Sequence, residues 1–262
     1  MDWQEYLKAA TEAGKIAGQM LLASFDKSRE ITFKGAVDLV TDHDRKSQQL
    51  IFSHLSSLYP GHDFLAEEDL CEERGADFRW IIDPIDGTTN YAHTFPFFCV
   101  SIALEWKGCI ALGLVYDPMR GEMFTGVEGE GAYLNGKPIQ VSTVADLNNS
   151  LLATGFPYDL RESKVNNLDH FAHFAVRAQA IRRCGSAALD LCYLACGRFD
   201  GFWEMKLSPW DVAAGALVVQ EAGGRVSDFG DDDYSPYGNE ILASNGLIHP
   251  QMLDVLRMGK RP

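Results

Sequence analysis

The segment from Trp80 to Asn90 places acids, a glycine and hydroxyl residues directly after an apolar run. Asp83 follows that run, and Asp86 comes three residues later, on the far side of Pro84. Proline has a fixed φ and no amide hydrogen, so Pro84 predicts a rigid bend that lets both carboxylates face one point. Two facing carboxylates resist ionising together and need either a shared proton or a hard cation. Magnesium is the cation that this pair of acids favours.

The residues after the second acid could hold phosphate oxygens. Gly87 permits a close approach of the backbone, and Thr88 and Thr89 supply donors at a predicted helix N-terminus. An isolated Asp-x-x-Asp pair is usually a solvated turn, however. The functional interpretation therefore depends on further acids elsewhere in the chain.

The charge balance of the chain is strongly acidic, with 23 Lys plus Arg against 37 Asp plus Glu and a net charge of −14. This charge disfavours nucleic acid or an anionic membrane as a direct partner. It would also repel a phosphorylated substrate unless bound cations inverted the local field. Solubility alone is the simpler explanation of the same charge.

The chain reads as a reduced, cytoplasmic protein. Residues 1–5 carry acids where a secretory signal needs basic residues, and the most apolar runs are far shorter than the roughly 20 residues that cross a bilayer. Its six cysteines lack CxxC spacing, so neither a disulfide framework nor a zinc cluster is expected. We predict mostly buried thiols and no membrane association.

Apolar spacing predicts two helices followed by strands in the first half of the chain. The first helix begins after Asp2 and ends near Phe25, and the second begins after Asp42. The second helix should bury a stripe formed by Leu50, Ile51, Leu55 and Leu58. The predicted strands cover residues 80–82, 97–106, 109–116, 123–125 and 132–134, with a tight turn at 107–108.

From about residue 145 the pattern changes to alternating strands and helices. Strands are predicted at 151–154, 180–182, 201–204, 225–226 and 241–243, and helices at 168–178, 186–195, 210–223 and after Pro250. No linker separates the two halves. We therefore predict one catalytic domain over residues 1–262, with an N-terminal half to about 144, a C-terminal half over 145–262 and the active site between them.

The run Asp83-Pro-Ile-Asp-Gly-Thr-Thr-Asn90 resembles the signature of the inositol monophosphatase family, the lithium-sensitive, Mg²⁺-dependent phosphatases. Similar blocks occur in family order at residues 38–44, 64–68, 182–188 and 209–213, so the resemblance covers nearly the whole chain. It implies an α/β (α+β) fold, the layered αβαβα sandwich of the inositol monophosphatase and fructose-1,6-bisphosphatase type. It also implies a homodimer.

The resemblance further implies a set of metal ligands. Glu67, Asp83 and the Ile85 carbonyl would hold one Mg²⁺, and Asp83 would bridge to a second ion held also by Asp86 and Asp211. A third, looser ion would share Glu67 with water. Mn²⁺ could substitute for Mg²⁺, and Li⁺ should inhibit. An all-oxygen ligand set is independently what Mg²⁺ prefers.

The same resemblance assigns catalytic roles to Glu67, Thr88 and Asp44, with Thr88 orienting the attacking water and coupled to Asp44. The implied substrate contacts are Asp86, Gly87, Thr88, Gly185, Ser186, Ala187, Glu204 and Asp211. Ser186 could equally be a helix N-cap, and Glu204 could simply begin a turn. Lys34 lies in a loop whose family counterpart closes over the metals, and Asp190 matches a polar family position without an assigned role.

The function implied is Mg²⁺-dependent hydrolysis of inositol monophosphate to myo-inositol and phosphate, without a phosphoenzyme. A carboxylate at Glu204 suits the vicinal hydroxyls of a polyol and disfavours a second phosphate nearby. A broader sugar-phosphate or fructose-1,6-bisphosphate phosphatase is one alternative. An alternative of another class is a regulatory protein that retains the phosphatase fold and acts through a protein partner.

Overall fold

The computed structural model describes residues 1–26, 31–33, 39–68 and 70–258, so Lys34 and Asp38 lie outside the described residues. The helices are α1 (Trp3–Ser24), α2 (Asp42–Leu58), α3 (Thr88–Ala92), α4 (Leu168–Ala175), α5 (Ala187–Ala195), α6 (Pro209–Glu221) and α7 (His249–Leu256). The strands of the first half are β1 (Ile31–Phe33), β2 (Leu39–Thr41), β3 (Asp63–Ala66), β4 (Leu70–Glu72), β5 (Phe78–Asp86), β6 (Cys99–Trp106), β7 (Cys109–Asp117), β8 (Glu122–Val127), β9 (Gly131–Leu134) and β10 (Lys137–Pro138). Those of the second half are β11 (Leu151–Thr154), β12 (Ala180–Arg182), β13 (Gly201–Met205), β14 (Arg225–Ser227) and β15 (Glu240–Ser244).

The larger sheet has the strand order β10-β9-β8-β7-β6-β5-β3-β4 and is antiparallel except where β3 pairs with β5. Successive side chains of a strand point to opposite faces. Ile82 therefore packs with the buried residues of α1 and α2, whereas Ile81 packs with those of α5 and α6. The sheet is covered by helices on both faces.

The smaller sheet has the order β12-β11-β13-β15-β14 and combines parallel and antiparallel pairs. Phe202 and Ala243 pack toward α5 and α6, so these two helices lie between the sheets. Trp203 and Leu242 face the other way, toward Phe174 of α4 and helix α7. The layers thus run helix, sheet, helix, sheet, helix, and the predicted fold class is confirmed.

Most of the predicted helices and strands are found in the structure, and local interactions explain where several of them begin or end. The Asp2 side chain caps α1 by accepting from the Gln4 amide at 3.1 Å. Lys107 and Gly108 both take positive φ in the turn between β6 and β7. Such a turn matches the twist of an antiparallel pair.

The predicted inward stripe of α2 is partly wrong. Ile51 and Leu55 are buried, but Leu50 is 36% and Leu58 50% exposed. The buried face of α2 continues instead through polar residues, His43, Asp44, Ser47 and Gln48. Asp44, Ser47 and Gln48 bond to segments that carry the acidic site described below, so apolar spacing alone could not locate that face.

Among the described residues, no helix is long and apolar enough to cross a membrane. All six cysteines are free thiols, as predicted, but only Cys99 and Cys192 are fully buried, while Cys71 and Cys109 are exposed. The expectation of mostly buried thiols was therefore wrong.

Candidate active site

Three acids from two separate parts of the chain converge at the end of β5. Asp83 and Asp86 come from that strand, and Asp211 comes from the first turn of α6. One carboxylate oxygen of each lies within 4.8 Å of the others. Burial, reinforced by the charges of Glu67, Asp86 and Asp211, raises the pKa of Asp83 well above its usual range.

The bend between the two strand acids is a local irregularity of β5. Asp83 pairs with Ser101 and Asp86 with Cys99, and the register shifts between the two pairs. The Ile85 amide donates to Asp83 Oδ1 at 2.9 Å, and the Ser47 hydroxyl donates to the Pro84 carbonyl at 2.8 Å. These two hydrogen bonds hold the bend that brings both carboxylates to one side.

Asp86 is anchored to the N-terminus of α5. Its Oδ2 accepts from the Ser186 hydroxyl and from the Ala188 amide, both at 2.7 Å, and from the Cys99 thiol at 3.8 Å. Burial raises the pKa of Asp86 to about 6, although these donors work in the opposite direction. The hydroxyl of Ser186 also caps α5 through the Leu189 amide. Ser186 is thus the N-cap of α5, and its predicted substrate contact stays a prediction.

Asp211 is positioned by the capping of α6. The Ser208 amide donates to Asp211 Oδ2 at 2.7 Å within a capping box, and Pro209 occupies the first turn. Both features favour a helix start at this point. The carboxylate of Asp211 is thereby held at the same place as the two acids of β5.

Glu67 lies just after β3, on a segment that three hydrogen bonds hold in place. Its amide donates to the Ile82 carbonyl of β5 at 3.3 Å. The Gln48 side chain accepts from the Glu68 amide at 2.9 Å and donates to the Glu68 carbonyl at 2.8 Å. The polar face of α2 therefore orients the chain that presents Glu67 to the cavity.

Thr88 and Asp44 form a buried pair behind the acids. Thr88 Oγ1 donates to Asp44 Oδ1 at 2.8 Å and lies 3.0 Å from the Ile85 carbonyl oxygen. Asp44 is fully buried in the first turn of α2. The coupling expected between Thr88 and Asp44 thus exists as a direct hydrogen bond.

Gly87 allows its segment to pack closely against the backbone at Phe97 and at Gly185. Its φ is +100°, and a Cβ at this position would lie 3.0 Å from the Phe97 carbonyl and 3.2 Å from the Gly185 carbonyl. The Asn90 side chain joins the same segments, because its Nδ2 donates to Phe97 O at 2.7 Å and Cys184 O at 2.8 Å. Asn90 had no predicted role, although it is the last residue of the signature run.

A cavity of about 310 Å³ lies over these groups. With Asp44 behind it, the cavity brings together every metal-binding and substrate-binding candidate named from the sequence: its walls include Glu67, Asp83, Ile85, Asp86, Gly87, Thr88, Gly185, Ser186, Ala187, Glu204 and Asp211. Gly155, Arg183 and Asp190 also line it, and none of these three had a predicted functional role. Asp190 is 1% exposed, and its Oδ1 has no hydrogen-bond partner among the described residues.

The donor set of this cavity fits a hard cation. Its converging groups are carboxylate and carbonyl oxygens, with no sulfur or imidazole in the acidic cluster of Asp83, Asp86 and Asp211. Buried carboxylates that raise one another's pKa need compensating positive charge to ionise together. The cluster is therefore compatible with metal binding.

Comparison with known proteins places the chain in a family. A model described as the inositol monophosphatase family matches residues 2–259. The chain belongs to the inositol monophosphatase family. Inositol-1-monophosphatase from Synechocystis sp. is 45% identical over 97% of this chain and 90% of its own length. Nus factor SuhB from Pseudomonas aeruginosa is 44% identical, over 97% and 96%.

The fold of this inositol monophosphatase family member agrees with a solved relative. The structure of inositol monophosphatase from Anabaena (Nostoc) sp. PCC 7120 matches with a TM-score of 0.90 and 42% identity, covering 98% of this chain and 96% of the other. These matches confirm both the family resemblance and the predicted enzyme class, an inositol-phosphate phosphatase.

Proposed function

We propose that the chain hydrolyses inositol monophosphate to myo-inositol and phosphate by direct attack of water, without a phosphoenzyme, and that it uses Mg²⁺. The observation that carries this proposal is the convergence of Asp83, Asp86 and Asp211 in one cavity with Glu204. The cavity thus offers an acidic cluster for cations and, separately, a carboxyl group for the alcohol part of the ester. The 45% identical relative named inositol-1-monophosphatase supports the choice of substrate.

The family resemblance supplies the residues that would hold the ions, and the cluster of Asp83, Asp86 and Asp211 supports part of that set. Glu67, Asp83 and the Ile85 carbonyl would hold one ion, and Asp83, Asp86 and Asp211 a second, while a third would share Glu67 with water. When bound, these ions supply the positive charge that neutralises the acids, attracts the phosphate and lowers the pKa of water.

The protein itself orients the attacking water through Thr88. Because the Thr88 hydroxyl donates to Asp44 at 2.8 Å, its lone pairs are available to accept a hydrogen bond from that water. Thr88 is a weak base, so its contribution is orientation rather than full proton removal. The backbone amides of Gly87 and Thr88 would donate to phosphate oxygens at the floor of the cavity.

Glu204 would bind the alcohol side of the ester. Its side chain is 7% exposed and lines the cavity. Within the described ranges its carboxyl has no hydrogen bond to another side chain or to the backbone, so ligand hydroxyls could fill that need. Two vicinal hydroxyls can donate to the two oxygens of one carboxylate. Gly185, Ser186, Ala187, Asp86 and Asp211 would contact the same polyol.

The test is phosphate release from inositol 1-phosphate, measured with and without Mg²⁺ for wild type and Asp86→Asn. We expect Mg²⁺-dependent release by wild type and a loss of at least about 10²-fold in the variant, because Asp86 would touch both an ion and the substrate. Asp232→Asn, on an exposed loop away from the cavity, is the matched control. An equal rate of phosphate release by wild type before and after metal removal would refute the metal-dependent mechanism.

A second candidate, a broader sugar-phosphate or fructose-1,6-bisphosphate phosphatase, is favoured by one observation. An adjoining cavity of about 290 Å³ shares Thr88 and Gly185 with the first and is also lined by Arg161 and Arg183. Guanidinium groups suit a second phosphate. A kcat/KM panel of inositol, glycerol and fructose phosphates decides between the candidates, since only the second predicts a preference for the bisphosphate that Arg161→Gln removes.

A regulatory role through a protein partner is the candidate of another class, and the 44% identical relative named Nus factor SuhB favours it. It would be preferred if wild type released phosphate from none of these esters. We further propose a cytoplasmic homodimer, open to sedimentation velocity analysis, with inhibition by Li⁺ and activity with Mn²⁺.

A further inference from the structure

We propose that Gly155 is a specificity-determining residue of this site, because its missing side chain leaves the space in which the Glu204 carboxyl lies. The inference rests on the proposed function, since it concerns the alcohol side of the same cavity. Gly155 would thereby select phosphate esters of vicinal polyols over simple phosphate esters.

The space at Gly155 is already filled by Glu204. A Cβ built on Gly155 would lie within 2.5 Å of Cδ, Oε1 and Oε2 of Glu204. Nonbonded carbon and oxygen atoms do not approach so closely, so any side chain at position 155 requires the carboxyl to move. Both residues line the cavity, which makes this contact part of its wall.

A network of buried hydrogen bonds holds the backbone of Gly155 in place. Asn167 Nδ2 donates to the Gly155 carbonyl at 2.7 Å and to Thr154 Oγ1 at 2.8 Å. Asn167 Oδ1 in turn accepts from Trp203 Nε1 at 2.7 Å. Thr154, Asn167 and Trp203 are completely buried, and Thr154 and Trp203 are paired between strands β11 and β13. This network fixes Gly155 relative to Glu204, the residue after Trp203.

The backbone of Glu204 is fixed as well, because it pairs with Ile241 in the centre of the small sheet. A displaced Glu204 side chain can move into the cavity of about 310 Å³, because the other cavity that it lines, beside Tyr234, has a volume of only about 10 Å³. Asp190 and Asp211, whose charges already act on Glu204, face it there. The displaced carboxyl would occupy the space of the polyol and would no longer lie where two vicinal hydroxyls could donate to it.

The test compares two substrates in Gly155→Ala. Inositol 1-phosphate offers vicinal hydroxyls, whereas phenyl phosphate offers none. We expect the ratio of their kcat/KM values to fall by about tenfold, with the loss on inositol 1-phosphate carried mainly by KM, because ground-state contacts to the polyol are removed. Gly61→Ala, whose new methyl group would meet nothing within 4 Å, is the matched control and should keep the wild-type ratio.

A double variant shows whether Gly155 acts through Glu204. Glu204→Ala vacates the space, so adding Gly155→Ala to it should change the selectivity ratio by less than about twofold. If Gly155→Ala alone fails to fold, the double variant should fold, because the overlap is gone. Thermal unfolding of all variants provides this readout, and failure of the double variant to recover the fold would overturn the proposal.

Other results would also overturn it: an unchanged ratio in Gly155→Ala, equal losses on both substrates, or additive losses in the double variant. Failure of the proposed function would look different, since wild type would then release no phosphate from inositol 1-phosphate. In that case a crystal structure of Gly155→Ala still decides the inference, which requires the Glu204 carboxyl to leave its wild-type position.

Discussion

Acidification should destabilise this protein through His249, a buried histidine at the start of α7. Its side chain is 0% exposed, with Nε2 3.0 Å from the Ser227 hydroxyl and Nδ1 2.8 Å from the Ser244 hydroxyl. Burial, with the nearby charge of Arg225, lowers the pKa of His249 from 6.5 to about 4. The histidine thus joins β14 and β15 to α7 in its neutral form.

The sign and size of the effect follow from proton linkage. Below pH 6.5 the unfolded chain binds a proton at His249, whereas the folded chain does so only near pH 4. Unfolding therefore takes up a proton in this window, and stability falls as the pH falls. Each tenfold difference in proton affinity corresponds to about 1.4 kcal/mol, so His249 should cost about 3 kcal/mol of unfolding free energy between pH 7 and pH 4.

The assay is urea unfolding at pH 7, 6, 5 and 4 for wild type, His249→Gln and the control His93→Gln, whose histidine is exposed. His249→Gln should be less stable at pH 7, because it loses one hydrogen bond, but its stability should fall less on acidification. The difference between the curves isolates His249 from the carboxylates, which all variants share. Parallel curves for wild type and His249→Gln would refute the reasoning.

Three further predictions concern the site. Thr88→Val should reduce phosphate release by about 10²-fold or more, because the water-orienting hydroxyl is lost. Thr88→Ser can still donate to Asp44 and should keep most of the wild-type activity. Equal activities of the two variants would contradict the role assigned to Thr88. Without added cations, Asp83→Asn should raise the melting temperature, because it removes a carboxyl group whose ionisation is opposed by burial and by the neighbouring acids. The variant should also lose most of the stabilisation that Mg²⁺ gives wild type. An unaltered response to Mg²⁺ in calorimetry would argue against Asp83 as a ligand. Asn90→Ala should cost about 2 kcal/mol in urea unfolding, because the Phe97 and Cys184 carbonyls lose their donor; a cost near zero would show that water replaces it.

Local patterns were enough to predict much of the fold. Asp2 before an apolar stripe marked the start of α1, and Lys107-Gly108 between apolar runs marked a hairpin, because caps and tight turns depend on a few neighbouring residues. The position of Asp83 and Asp86 at the end of a buried strand was likewise readable from Trp80 to Asp86. These features need no knowledge of distant contacts.

The polar face of α2 is a feature that local sequence patterns did not predict. Ser47 and Gln48 are buried because they bond to the Pro84 carbonyl and to the backbone of Glu68, residues of other elements. Apolar spacing favoured Leu50 and Leu58 instead, and both are exposed. Most buried polar side chains have a hydrogen-bond partner, and the partners of Ser47 and Gln48 lie outside the helix itself.

The sequence by itself determined the chemistry available to this protein: the acids, the strand that ends in them, and the family to which they belong. Only the tertiary structure decided which groups meet. Asp211 lies 125 residues from Asp86 along the chain, yet their carboxylates share one cluster. Gly155 carries no local signal of its proposed role, because that role is to leave the space in which the Glu204 carboxyl lies. The space between two elements is set by how β11 and β13 pack rather than by either segment alone.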